Sequence, residues 1–473
     1  MISTQKTSLK KKGTPLSVTL NNFFYGYSYP VIVSFLVFIF WMLNLQLIGL
    51  SVIIGFASYL FVTQKDFTPT LPLLLMVPMC FRDTDVFSSA LTFVIFAVVV
   101  VALVINLIRF PLKIKKMTFM AWAFIFLFVA MLLSGIASGH LRHYLIGLPH
   151  VAFLSLAMLF EYLVITNRVV PPKSFDLRKY LCFIFIIATN LACMQLMFAK
   201  LSITLYGYTQ FKFNGSNFIG WANTLHIGYM TLFSLPLCCY LLVKTKKYFI
   251  PLAFEILFIY VSALMTKSDG TLGLMVLLTP LLIIFVGKKI SNVYFKKYKN
   301  FVFTLILIFL ICELFFVIFF DISEFINKII NVFKDDNHRS EIYRTALRMF
   351  KRNPIFGTGF GCGFVAVLDY AGYYHSTFFH TLSNLGIVGL IAYVVLYVAR
   401  LKSLTGKRTT FNFLATVSFI AFAMFSMVDN GEFHFLVIHV TALVSVVEVT
   451  NTKDNAEALP LYSKRDNRVI ESN

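Results

Sequence analysis

Apolar segments follow one another along almost the whole chain, at roughly 31–47, 48–63, 68–81, 87–108, 117–136, 144–166, 180–199, 217–242, 248–265, 271–287, 300–320, 377–399, 411–428 and 433–449. Each is near the roughly 20 residues that a helix needs to cross a bilayer, and several, notably the first three, are shorter. Hydrocarbon offers backbone groups no partner, so a chain of this kind can fold only by satisfying them within its own helices. The composition agrees, at 59% hydrophobic and 13% charged residues. The expected fold class is all-α, a polytopic integral membrane protein with about 12 to 14 transmembrane helices. One large extracytoplasmic loop at 321–376 is expected to contain short helices. Residues 1–449 read as a single transmembrane domain, and 450–473 as a polar, poorly ordered cytoplasmic tail.

The net charge of +20 must be read by its placement between spans. With a cytoplasmic N-terminus, about 29 of the 41 Lys and Arg fall on the inner side, among them Lys113, Lys173, Lys244, Lys289, Arg400 and Arg408. Both termini are therefore expected in the cytoplasm, and nucleic acid is not an expected partner. Most exceptions gather in the outer loop, at Lys328, Lys334, Arg339, Arg344, Arg348, Lys351 and Arg352. Basic residues held against the topological preference point to an anionic ligand there, with lipid headgroups as the plainer account.

Other chemistry is poorly supported. The seven cysteines sit mostly within apolar runs without CxxC spacing, which favours neither a disulfide framework nor a zinc site. His140 and His143 flank Arg142 without a carboxylate or cysteine to complete a metal site. No matching interrupted spans mark the two halves as an inverted repeat, which lowers the case for a transporter.

The longest polar interruption runs from His338 to Gly389. Asp335, Asp336 and Asn337 can cap a helix from His338, and Pro354 ends it. On that helix Arg339, Tyr343, Ala346, Leu347 and Phe350 form one stripe, and Arg344, Arg348 and Lys351 another. A glycine run follows at Gly357, Gly359, Gly361 and Gly363, without the Lys-Ser/Thr of a phosphate loop. His375, Ser376 and Thr377 then begin an apolar helix, with the hydroxyls as caps. At 100° per residue His375 shares a sector with Phe379, Leu382, Gly386 and Gly389, expected to face protein, while His380 is rotated away. Lys267, at an outer span junction beside Ser268 and Asp269, is costly to place there unless paired or used.

The order Arg339, Tyr343, Asn353-Pro354-Ile355-Phe356-Gly357-Thr358-Gly359, His375 and Gly386-Ile387-Val388-Gly389 resembles the signature loop of the O-antigen ligase and polysaccharide polymerase superfamily. The likeness is close over about 50 residues, and the rest of the chain shares only a many-span pattern. Three positions depart from it: Ser376 stands where relatives carry Asn, Tyr343 where Trp is common, and Asp269 where an Arg follows the Ser.

The resemblance implies a bacterial cytoplasmic-membrane glycosyltransferase that polymerises polyprenyl-pyrophosphate-linked repeat units on the outer face. It implies His375 as base and Arg339 as neutraliser of the pyrophosphate, with Lys267, Arg82, Arg344, Tyr343 and Ser376 as substrate contacts. No metal or other cofactor is implied. The partners are the lipid-linked glycan donor, a glycan acceptor, the bilayer and other polysaccharide-export proteins. A ligase passing the glycan to a different acceptor shares these features, and a lipid or glycan flippase is the alternative of another class.

Overall fold

The computed structural model describes residues 22–82, 90–112, 114, 117–134, 145, 152–206, 212–213, 216–217, 219–245, 248–266, 268–289, 339–359, 374–429, 431–434 and 436–452. The expected segment at 300–320, most of the outer loop, Lys267, the His140–His143 turn and the tail lie outside them.

The described chain is helical apart from one antiparallel pair of two-residue strands, β1 (Lys212–Phe213) and β2 (Ser216–Asn217). The helices, in order, are α1 (Ser28–Met42), α2 (Gln46–Thr63), α3 (Ala90–Arg109), α4 (Phe119–Leu133), α5 (Met158–Arg168) and α6 (Leu177–Tyr206). There follow α7 (Thr224–Lys244), α8 (Phe249–Met265), α9 (Asp269–Lys289), α10 (Arg339–Arg352), α11 (Thr377–Thr405), α12 (Thr410–Val428) and α13 (Val437–Thr452). Among the described residues six helices are long and apolar enough to cross a membrane, and a further six apolar helices are shorter. The architecture is thus all-helical and polytopic. The segment expected at 68–81 is a short broken helix, Thr68–Cys80, buried between α1, α2 and α6.

Helix starts follow local chemistry. Thr118 caps α4, Thr409 caps α12, and Asn223 with His226 forms a reciprocal capping box on α7. α7 is apolar all round and buried all round, and it packs against α6, α8, α9 and α12 as the centre of the bundle. α11 runs beside α4, α10 and α12. At one end of the bundle lie the starts of α7, α9 and α11 and the end of α12, and this is where the polar side chains collect.

One charge is placed differently from the sequence expectation. Arg400, grouped with the inner-loop cations, lies inside α11 fully buried and paired with Glu432, which is equally buried in the turn Gly431–Phe433. Glu161 on α5 is buried within electrostatic reach of the same arginine. An arginine buried in protein is tolerated when carboxylates meet it.

Candidate functional site

The signature loop is held by an exchange of backbone hydrogen bonds. α11 is broken at Gly386, whose φ of 66° and ψ of −161° lie in a region open essentially to glycine. The break frees the carbonyls of Ser383 and Asn384, which accept from the amides of Thr358 and Gly359 at 3.0 Å each. The amides of Ile387 and Val388, which a regular helix would give to those carbonyls, donate to Pro354 (2.9 Å) and Ile355 (3.2 Å). The Asn-Pro-Ile-Phe-Gly-Thr-Gly turn and the Gly-Ile-Val-Gly helix are therefore two halves of one joint. Its tightness demands glycine: a Cβ on Gly357 would lie 2.3 Å from Asn384, and one on Gly386 would lie 2.4 Å from the Ile355 carbonyl.

The joint fixes what stands at the head of α11. His375 adopts a left-handed backbone conformation, with φ of 47°, immediately before the helix. Its carbonyl accepts from the Tyr343 hydroxyl at 3.3 Å, and the Tyr343 ring stacks on Phe379 with centroids 4.2 Å apart. Its Nδ1 lies 3.6 Å from Oδ1 of Asp429, at the end of α12. The His375 side chain is 49% exposed and the Asp429 side chain 12%. One edge of the imidazole thus faces a shielded carboxylate while the ring stays accessible.

Two neighbouring histidines complete the cluster. His226, in the α7 capping box, stacks on His434 with centroids 3.7 Å apart, and it lies within electrostatic reach of Asp429 and His375. Two residues beyond His226, Gly228 abuts the Thr271 hydroxyl, which donates to Ser268 Oγ at 3.0 Å. The Ser268 junction is therefore brought beside the start of α7. Among the described residues no three His, Cys, Asp or Glu side chains are grouped as a metal site would require.

The residues expected from the sequence fall into different places. Tyr343 is joined to His375 as described, and Arg339 opens α10. Arg344 is exposed on the outer side of α10, and Lys267 lies outside the described residues. The Arg82 guanidinium donates to the carbonyls of Met42 (2.9 Å) and Trp41 (3.5 Å) at the end of α1 and lies over the Trp41 ring, while its backbone amide donates to Gln46 Oε1 on α2 at 2.7 Å.

Two expectations are corrected. Ser376 is the residue preceding α11 and is buried, but its hydroxyl forms no cap bond. His380, expected to rotate away from protein, is fully buried, against Phe433 (4.4 Å) and 3.0 Å from the Asn384 amide, whereas His375 is half exposed. The 100° progression assumed that the helix already includes His375, but His375 precedes the first turn with a left-handed backbone.

Asp429, His434 and Glu432 were not singled out by sequence reasoning. The signal was present in Asp429-Asn430-Gly431-Glu432-Phe433-His434, a polar break only a few residues long between two apolar segments.

Residues 252–394 match a family model described as O-antigen ligase, and the resemblance read from the loop is shown over that segment. It spans α8, α9, α10, the joint, His375 and the first half of α11. A search of curated proteins returned no match.

Proposed function

We propose, for a chain that carries an O-antigen ligase domain over residues 252–394, a membrane glycosyltransferase that extends polyprenyl-pyrophosphate-linked glycan on the outer face of the cytoplasmic membrane. The observation that carries this reading is the His375 arrangement, an accessible imidazole with its Nδ1 facing Asp429 and its main chain tied to α10 through Tyr343.

In the proposed reaction the acceptor hydroxyl oxygen attacks the anomeric carbon of the donor. The bond from that carbon to the pyrophosphate oxygen breaks, and its electron pair leaves with the pyrophosphate. The hydroxyl proton passes to Nε2 of His375, and the Asp429 carboxylate steadies the imidazolium through Nδ1. Negative charge grows on the leaving group in the transition state, so a fixed guanidinium from Arg339 lowers the barrier beyond its contribution to binding. Lys267, Arg82, Arg344 and Ser376 stay as candidate substrate contacts. Transfer of one repeat unit to another, rather than to a different acceptor, is the reading we favour, and a ligase would use the same atoms.

The test uses purified protein in detergent with a lipid-linked repeat unit. Wild type should lengthen the glycan, and His375→Ala, folded to the same yield, should leave the donor intact. Normal chain lengths from His375→Ala would overturn the assignment. Transfer only to an added foreign acceptor would identify a ligase, and activity without any membrane to cross would exclude a flippase.

A further inference from the structure

The opposite end of the same helices carries a second site. Where α9 ends and the turn between α11 and α12 passes it, the surface folds into a cavity of about 570 Å³. Lys289, Lys407 and Arg408 line it, with Thr410 and the stacked pair Phe285 and Phe413, whose centroids are 4.6 Å apart. None of the described lining residues is acidic, and neither Lys289 nor Arg408 forms an ion pair with any described residue. Lys289 and Arg408, set on a concave surface with no carboxylate among its described lining residues, repel one another unless an anion joins them.

The placement decides what kind of anion. α9 has 21 residues and spans about 30 Å, so its last turn lies at the membrane boundary opposite the His375 cluster. From the cavity toward the bilayer centre, α9 exposes Leu281 and Ile284, and α12 exposes Phe413 and Ile420. A cationic pocket that continues into an exposed apolar surface between two helices matches a headgroup phosphate with acyl chains below it.

We propose that this cavity binds the phosphate headgroup of an anionic phospholipid, with its acyl chains along α9 and α12. Lys289 and Arg408 hold the phosphate, and the stacked phenylalanines floor the passage from headgroup to chains. The site is independent of the glycosyltransferase reading, since none of its residues belongs to the His375 cluster.

Delipidated protein in detergent, titrated with phosphatidylglycerol and followed by native mass spectrometry and thermal stability, tests the proposal. Wild type should bind phosphatidylglycerol, and Lys289→Ala/Arg408→Ala should weaken that binding about 25-fold, at about fivefold per cation. A control of equal charge, Lys65→Ala/Lys173→Ala, removes exposed cations outside the cavity and should bind as wild type does. Equal loss in the control would reduce the effect to bulk charge and overturn the site. Displacement of the lipid by millimolar inorganic phosphate would overturn the lipid assignment in favour of a soluble anion. Equal binding of phosphatidylcholine would show that the cations are not used, and it would also overturn the proposal.

Discussion

Gly386→Ala tests the joint that carries the candidate site. The native conformation at Gly386 costs an alanine roughly 1–3 kcal/mol in backbone strain. The added Cβ would lie 2.4 Å from the Ile355 carbonyl oxygen and 2.6 Å from the Gly357 amide, both backbone atoms that cannot swing aside. If instead α11 straightens, Ile387 and Val388 recover helical bonds to Ser383 and Asn384, two bonds at about 1 kcal/mol each. The four cross-links to Pro354, Ile355, Thr358 and Gly359 are then lost, and their orphaned groups cost about 1–3 kcal/mol apiece where they stay buried. Either route disfavours the docked turn by about 3 kcal/mol or more, on the order of 100-fold in its population. Hydrogen exchange resolved to the 353–359 and 383–389 peptides reads this directly. The Thr358 and Gly359 amides should exchange on the order of 100-fold faster, and glycan extension should fall with the loss of the His375 position. Gly55→Ala, where an added Cβ meets nothing within 4 Å, should leave exchange unchanged. A folded Gly386→Ala protein with wild-type protection at Thr358 and Gly359 would refute the exchange argument.

Arg400→Ala leaves Glu432 buried and uncompensated and should lower stability by about 3–5 kcal/mol, whereas Arg400→Met/Glu432→Leu should recover most of it. Melting in detergent decides, and identical melting of the single and double variants would show that the pair is not coupled. Asp429→Asn keeps the shape beside His375 and removes the charge, so kcat should drop on the order of 100-fold with KM held. A change confined to KM would assign Asp429 to binding instead.

The helical class could be read from the sequence because it rests on local facts. Segment length, apolar content and the cost of unpaired backbone in lipid require spans wherever they fall, as α2, α7 and α12 show. The signature turn was legible for a related reason, since Pro354 must end α10 and the glycines mark positions where other residues cannot go. Spacing could not show that Gly357 and Gly386 serve one contact, because the partner carbonyls come from a segment about 30 residues away. The helical wheel ranks His375 as inward and His380 as outward, and the left-handed backbone at His375, outside the first turn, reverses them. Asp429 could not be tied to His375, nor Glu432 to Arg400, by any periodicity, since each pair joins different elements. The sequence by itself determined that this chain lies in a membrane as helices and where the signature loop falls along it. Only the tertiary structure decided which carboxylate faces the histidine, because that pairing depends on where α11 begins relative to the end of α12, a distance set by packing.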